Sequence, residues 1–398
     1  MTEISLIDES GTLTTHQLRD NDLRPPASVP PTARIAYAAA HVIPRATGNN
    51  VPGAPADIDW DATMEFRHHL WSWHLGVADA MDTAQRNMGL DAVAVRELIR
   101  RSATEAQSVG GALVVGINTD HVATTYISLD EVISAYVEQL HQAEDVGAQA
   151  VMMASRHLAR VADGPADYSR VYDAVLSRAG RPVILHWLGT PFDAALAGYF
   201  GSDDLASARR TVRTIIEDNI DRVAGIKVSL LDGTTEIALR RELPDSVRVF
   251  TGDDYNYVDL IAGGTEGHCD ALLGAFATCA PIASAALSAL DAGDMCGFRA
   301  LLQPTQALAR HVFASPTEYY KTGVTFLSWL NGHQPAFAMV NGLHSARSLP
   351  HLSRLVQLAD AAGALEQPEL AAQRWTDLLT VYGVRSTVRS LMTTGDRT

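Results

Sequence analysis

Of the 31 basic residues in this 398-residue chain, only Lys227 and Lys321 are lysines; arginine carries the rest. The difference is chemical, because an ammonium can lose its proton and become a nucleophile whereas a guanidinium stays charged. Lys227 directly follows the apolar run Val223-Ala224-Gly225-Ile226, so a strand there would hold its stem in an apolar wall. Desolvation disfavours the ammonium and lowers its pKa, as an imine-forming amine requires. The same position also suits a lysine that snorkels to solvent or pairs with a carboxylate. Other apolar runs end in polar groups too: His41, Asp82-Thr83, Asn118 with Asp120-His121, His157, His186, Asp253-Asp254 and Asp270. Core packing alone does not call for such a set, although a single histidine at a strand end is commonly a structural hydrogen-bonder. Lys321 sits in EYYKTGVTFLSWLNG, an amphipathic helical segment where a solvated or ion-paired amine is expected.

These side chains need a scaffold. From Arg34 onward, eight short apolar runs alternate with longer amphipathic segments: RIAYAAAHV, HLGVADAM, ALVVGIN, AQAVMMAS, PVILHWL, VAGIKVS, VRVFTGDD and CDALLGA. The runs are continuous rather than alternating, as parallel strands covered on both faces require. Between the third and fourth, Val132, Tyr136 and Leu140 form one helical stripe, with Ser128 and Glu131 as a capping box and Gly147 near its end. A similar stripe (Val171, Tyr172, Val175) ends at Gly180. Eight such units predict an α/β fold, a (β/α)8 TIM barrel, with chemistry at the C-terminal ends of its strands. A doubly wound open sheet is the main competitor, but no GxGxxG follows the first strand and no P-loop occurs. Residues 1–32 read as a β-hairpin around Glu9-Ser10-Gly11 and a proline-rich linker, 33–295 as the barrel, and 296–398 as a C-terminal helical extension suited to an oligomer contact.

Composition narrows the function classes. With 47% hydrophobic and 19% charged residues the chain is globular, and its net charge of −15 offers no basic stripe for nucleic acid. No apolar run approaches the roughly 18 residues of a membrane span, and the N-terminus lacks a signal-peptide pattern, so a cytoplasmic location is expected. Cys269, Cys279 and Cys296 show no metal or disulfide spacing and read as buried small hydrophobes.

VAGIKVSLLDG, followed by RVFTGDDYNYVDLIAGGTEG, resembles the dihydrodipicolinate synthase and N-acetylneuraminate lyase superfamily. There a Gly-Ile-Lys strand carries the Schiff-base lysine. GINTDHVATTYISLDEVI is similar to that family's segment after its third strand and PVILHWLGTP to its Pro-x-x-Leu-Tyr-Asn-x-Pro segment, in order, and the likeness spans roughly residues 34–345. MDTAQRNMGLD is similar to a functionally uncharacterised branch. The resemblance implies a class I aldolase-like enzyme with Lys227 as the amine. Two departures matter. Where the family binds a carboxylate with Gly-Thr-Thr-Gly-Glu, this chain has Met81-Asp82-Thr83-Ala84-Gln85, in which only Thr83 matches and Asp82 opposes an anion. His186 stands where the family has a proton-relaying tyrosine.

The leading expectation is therefore a lyase, aldolase or dehydratase acting on a small keto compound, sugar-like rather than pyruvate, with no cofactor and in a homo-oligomer. Lys227, His186 and Thr83 form its catalytic group; Asp82, Gln85, Asn118, Asp120, His121, Asp253 and Asp254 contact substrate. The alternative is a divalent-metal-dependent isomerase, hydrolase or class II aldolase, assembled from the same strand-end histidines and aspartates. A third is a scaffold without catalysis. HHLWSWHLG is expected to pack the first helix, and GGTEG (263–267) to form a tight turn or a phosphate cradle.

Overall fold

The computed structural model describes residues 2–20, 25–265 and 267–384. All eight apolar runs are strands: β3 (Ala36–Ala39), β4 (Gly76–Asp79), β5 (Leu113–Ile117), β6 (Gln149–Met152), β7 (Val183–Leu188), β8 (Val223–Ser229), β9 (Arg248–Thr251) and β10 (Asp270–Leu273). They pair in parallel and in sequence order, and β10 returns to β3 to close the barrel. Hairpin strands β1 (Glu3–Ile7) and β2 (Leu13–Gln17) precede them.

The covering helices are α1 (Trp60–Ser72), α2 (Ala92–Val109), α3 (Leu129–Asp145), α4 (Arg156–Val161), α5 (Pro165–Leu176), α6 (Leu205–Asp218), α7 (Gly233–Glu242), α8 (Tyr257–Ala262) and α9 (Ala280–Asp291). Their boundaries follow local chemistry. In α3 the Ser128 side chain accepts from the Glu131 amide while the Glu131 carboxylate accepts from the Ser128 amide, satisfying two donors that a helix start leaves free. Gly110 ends α2 in a left-handed conformation at φ 66°, which costs a glycine little.

Because each strand is covered on both faces, two apolar layers form. Val77, Val115, Leu185, Ile226 and Val228 pack outward against the helices. Ala39, Ala78, Met81, Val114, Val151, Ile184, Phe250 and Leu272 fill the interior. Each Val, Leu, Ile, Phe or Met side chain among them stabilises the fold by about 1.5–3 kcal/mol when fully buried.

Among the described residues, which end at 384, the C-terminal extension comprises α10 (Met295–Val312), α11 (Tyr320–Leu330), α12 (Leu349–Ala362) and α13 (Pro368–Val381). The hairpin docks on it rather than standing apart. The Ile7 amide donates to Ser353 Oγ (2.9 Å), Trp375 Nε1 donates to the Ser5 carbonyl (2.7 Å), and His16 meets Asp360 at 2.9 Å. Helix α11 departs from the amphipathic expectation, since nearly every residue from Tyr320 to Leu330 is buried. Lys321 is thus an ion-paired but unsolvated amine. Cys269 and Cys279 are buried as expected, whereas Cys296 is exposed. In GGTEG, whose Glu266 lies outside the described residues, the Gly264 and Gly267 amides donate to each other's carbonyls. Among the described residues, no helix is long and apolar enough to cross a membrane.

A buried ion pair braces the barrel mouth. Arg67 of α1 donates from Nε and Nη2 to both Asp79 oxygens (2.9 and 2.8 Å), and from Nη1 to the His41 and Thr63 carbonyls (2.7 and 2.9 Å). Both side chains are fully buried, so neither tolerates loss of its partner. Arg67→Ala should lower unfolding free energy by about 3–5 kcal/mol, read from denaturant titration; a change under about 1 kcal/mol would show the pair is not structural.

Candidate active site

Strand β8 aims its side chains through a register irregularity. Val183 pairs with Val223 but Ile184 pairs with Gly225, a bulge that shifts the facing side chains by one residue. Ile226 and Val228 consequently pack outward, and Gly225, Lys227 and Ser229 lie on the inward face. Neighbours at one level of a parallel sheet share a face, so His186 on β7 and Phe250 on β9, the register partners of Lys227, flank it. Gly252 crosses close by. A Cβ there would lie 2.2 Å from Ser229 Oγ and 2.8 Å from Lys227 Cε, so only glycine leaves room for the lysine stem.

Lys227 is 5% exposed. Burial lowers its pKa, while Asp82 and Asp254, acting as nearby charges, pull it partly back. His186 is fully buried; burial and then the Lys227 charge push its pKa well below the usual value, so the ring is neutral. Its Nε2 lies 3.2 Å from Ser229 Oγ, and its Nδ1 is buried with no hydrogen-bond partner among the described residues. Asp254 accepts the Ala275 amide at 2.8 Å. Burial nevertheless pushes its carboxyl up to about 8, against that hydrogen bond and the Lys227 charge.

Asp82 opens the short turn after β4 and meets a cation that the sequence did not suggest. Lys321 Nζ lies 3.8 Å from its carboxylate and donates to the Glu318 carbonyl at 3.1 Å. The Tyr320 hydroxyl donates to Asp82 Oδ2 (2.8 Å) and lies 2.7 Å from Thr83 Oγ1. Burial opposes ionisation of Asp82, but Lys321, Lys227 and the Tyr320 hydrogen bond outweigh it, and its pKa falls below the usual carboxylate value. Burial likewise lowers the pKa of Lys321, against the attraction of Asp82. The Tyr320 ring is held by stacking on Phe313, with centroids 4.3 Å apart. The extension thus contributes two groups to the barrel mouth. The one signal for them in the sequence was that Lys321 is the second of two lysines.

The other expected contact residues are committed to structure. Gln85 Nε2 donates to the Val340 carbonyl (2.9 Å), tying the extension to the loop after β4. Asn118 bonds the Thr119 amide and the Ala154 carbonyl. Asp120 forms a bidentate pair with buried Arg86, whose Nη1 also reaches the Ala80 and Gly116 carbonyls (both 3.1 Å). His121 Nδ1 lies 2.8 Å from Gln139 Nε2. Asp253 accepts the Tyr255 and Asn256 amides and the Asn256 side chain. Among the strand-end histidines, His41 meets Gln334 (3.0 Å) and His157 meets Thr119 and Thr124. Asp270 is a correction: it is the first residue of β10, at the opposite end of the barrel, where it accepts from the Ile35 amide and Arg248.

Solved structures share this closed parallel barrel. The 4-hydroxy-tetrahydrodipicolinate synthase from Methylacidiphilum fumariolicum SolV superposes with a TM-score of 0.63 at 16% identity, covering 85% of this chain and 99% of that one. Dihydrodipicolinate synthase from Thermotoga maritima gives a TM-score of 0.63 at 14% identity over 84% and 100% of the two chains. At such identities the likeness is one of fold. The chain belongs to the protein family of unknown function DUF993, whose family model matches residues 4–384. No curated protein matches it.

Both lysines should titrate early. After reductive methylation with 13C-formaldehyde, NMR should show two lysine signals with midpoints below the 10.5 of a free lysine. Midpoints at or above that value would contradict the burial that defines the site.

Proposed function

We infer that the protein is a Schiff-base-forming lyase, aldolase or dehydratase of class I type, within the superfamily its sequence resembles. One observation carries the reading: the Lys227 amine is desolvated near a strand end, within electrostatic reach of an acid, Asp254, whose pKa burial pushes up to about 8. The neutral amine adds to a ketone carbon, and one amine proton passes to the carbonyl oxygen to give the carbinolamine. Asp254 then protonates that hydroxyl, water leaves, and an iminium remains beside the Asp254 carboxylate. The iminium stabilises a carbanion at the adjacent carbon: a carbon–carbon bond to that carbon breaks with its electron pair passing into the enamine as the β-hydroxyl gives up its proton, or that carbon loses a proton and the resulting enamine expels a protonated β-hydroxyl as water. His186, held neutral, relays protons at its unpartnered Nδ1.

The substrate on this reading is a small keto compound with several hydroxyls. Asp82, Thr83, Tyr320 and Lys321 gather acceptors and donors around a carboxylate whose charge reaches the Lys227 amine. Asp120, His121 and Asp253, by contrast, are spent on internal hydrogen bonds, so fewer groups bind hydroxyls than the strand-end residues suggest, and fewer remain for a strand-end metal.

Borohydride reduction in the presence of keto sugars and keto acids tests the amine. The expected product is a reduced adduct on the Lys227 peptide, absent from Lys227→Met, with keto sugars trapped more efficiently than pyruvate. Because Lys321 is the only other lysine, peptide masses assign the adduct without ambiguity. No adduct on Lys227 with any compound would overturn the reading.

The acid role of Asp254 has its own signature. Its pKa is raised in the folded state, from 3.8 to about 8, so the stability it contributes is present below pH 4 and lost as pH rises through about 8. Asp254→Asn should therefore raise Tm at pH 9 more than at pH 4, while slowing imine formation at neutral pH at least tenfold and removing the fall in rate above about pH 8. An unaltered pH–rate profile would assign the proton to another group.

A further inference from the structure

The histidine-rich first helix does more than pack. Most of HHLWSWHLG serves the fold alone: His68 pairs with Glu105, Trp71 Nε1 donates to the Ala112 carbonyl, and His74 bonds the Ala27 carbonyl. His69, in the last turn of α1, faces instead His333 from the turn after α11 and Glu366 from the loop before α13. His333 Nε2 lies 3.0 Å and His69 Nε2 3.5 Å from the same oxygen, Glu366 Oε1, and the two imidazole centroids are 4.1 Å apart. We propose that His69, His333 and Glu366 form a binding site for one divalent transition-metal ion of the zinc type, which staples the first barrel helix to the C-terminal extension.

The geometry supports this in three ways. Ligand atoms about 2.0–2.2 Å from a tetrahedral zinc lie about 3.3–3.5 Å from one another. The donor atoms here all lie within 4.8 Å of each other, and the two histidine–carboxylate separations bracket or meet that range, so small side-chain shifts close the site. Two imidazoles and a carboxylate suit zinc and its neighbours rather than magnesium or calcium, which prefer oxygen alone. The site is also built before an ion arrives. Buried Asn331 accepts the Glu366 amide at 3.0 Å and donates to the Ala364 carbonyl at 2.9 Å, clamping the Glu366 loop to the His333 turn. Phe66 packs against both rings, at 6.0 and 5.6 Å, forming an apolar wall on one side. The side chains stay 13–17% exposed, leaving an approach for the ion and a water as fourth ligand.

None of the three residues belongs to the Lys227 group, so metal content and imine chemistry are separable. The full chain should be stripped with chelator, loaded with zinc alone, desalted and analysed for metal. One equivalent is expected, together with a rise in Tm that grows with zinc concentration, as binding to the folded state alone requires. Cobalt loading should give the visible spectrum of a tetrahedral ion. Glu366→Gln and His333→Ala should each lose at least tenfold in zinc affinity and lose the zinc-dependent rise in Tm; circular dichroism confirms that the variants fold, and the conservative Glu366→Gln serves if His333→Ala does not. Zinc binding unchanged in both variants, or less than a tenth of an equivalent bound to the wild type, would overturn the site. The Lys227 adduct should persist in the stripped protein; its loss on stripping and return with zinc would replace the staple by metal-assisted chemistry.

Discussion

A lysine amine inside a barrel is a problem of charge in a medium that solvates charge poorly, and the organisation of the mouth follows from how that problem is met. Burial alone drives Lys227 toward its neutral form, but a barrel with no counterions would leave it inert in whichever state it froze. Two carboxyls of opposite character surround it. Asp254, buried and weakly compensated, holds its proton; Asp82, facing a second lysine and a tyrosine hydroxyl, gives its proton up. Two aspartates in one cleft thus take different roles because their partners differ, and the pair of environments divides acid from anion.

Holding Asp82 ionised requires Lys321 and Tyr320, which belong to the extension rather than the barrel. The extension is tied down from several directions: Gln85 to Val340, the aromatic stack of Phe313 and Tyr320, and the hairpin packed behind it by Ser353 and Trp375. On the barrel side, the Arg67–Asp79 pair fixes the end of β4 just before Asp82, and Arg86–Asp120 braces the loop after it. Charges buried this way contribute less through their own attraction than through the cost of leaving either partner alone. That cost locks the geometry around the amine.

Much of this was legible in the chain. Eight continuous apolar runs specify parallel strands because a strand covered on both faces has no polar side to show, and Ser128 with Glu131 specifies a helix start by satisfying otherwise orphaned amides. The inward aim of Lys227 was less secure. It depends on a bulge between β7 and β8 that shifts the side-chain alternation by one, and no residue type announces it. The roles of Asp120, His121 and Asp253 were also beyond reach. A carboxylate at a strand end looks the same in sequence whether it awaits a substrate or already accepts Arg86 or a neighbouring amide.

Taken by itself, the sequence determined the periodic and local features: the barrel, the hairpin, the helix caps, and a lone lysine after an apolar strand. These depend on residues within a few positions of one another, where hydrophobic period and backbone hydrogen bonding act directly. Tertiary structure alone decided which distant groups meet. Asp82 meets Tyr320 and Lys321 across more than two hundred residues, and His69 meets His333 and Glu366 across still more. Electrostatic and ligand geometries act over a few ångströms in space and are indifferent to separation along the chain, so no local pattern can encode them.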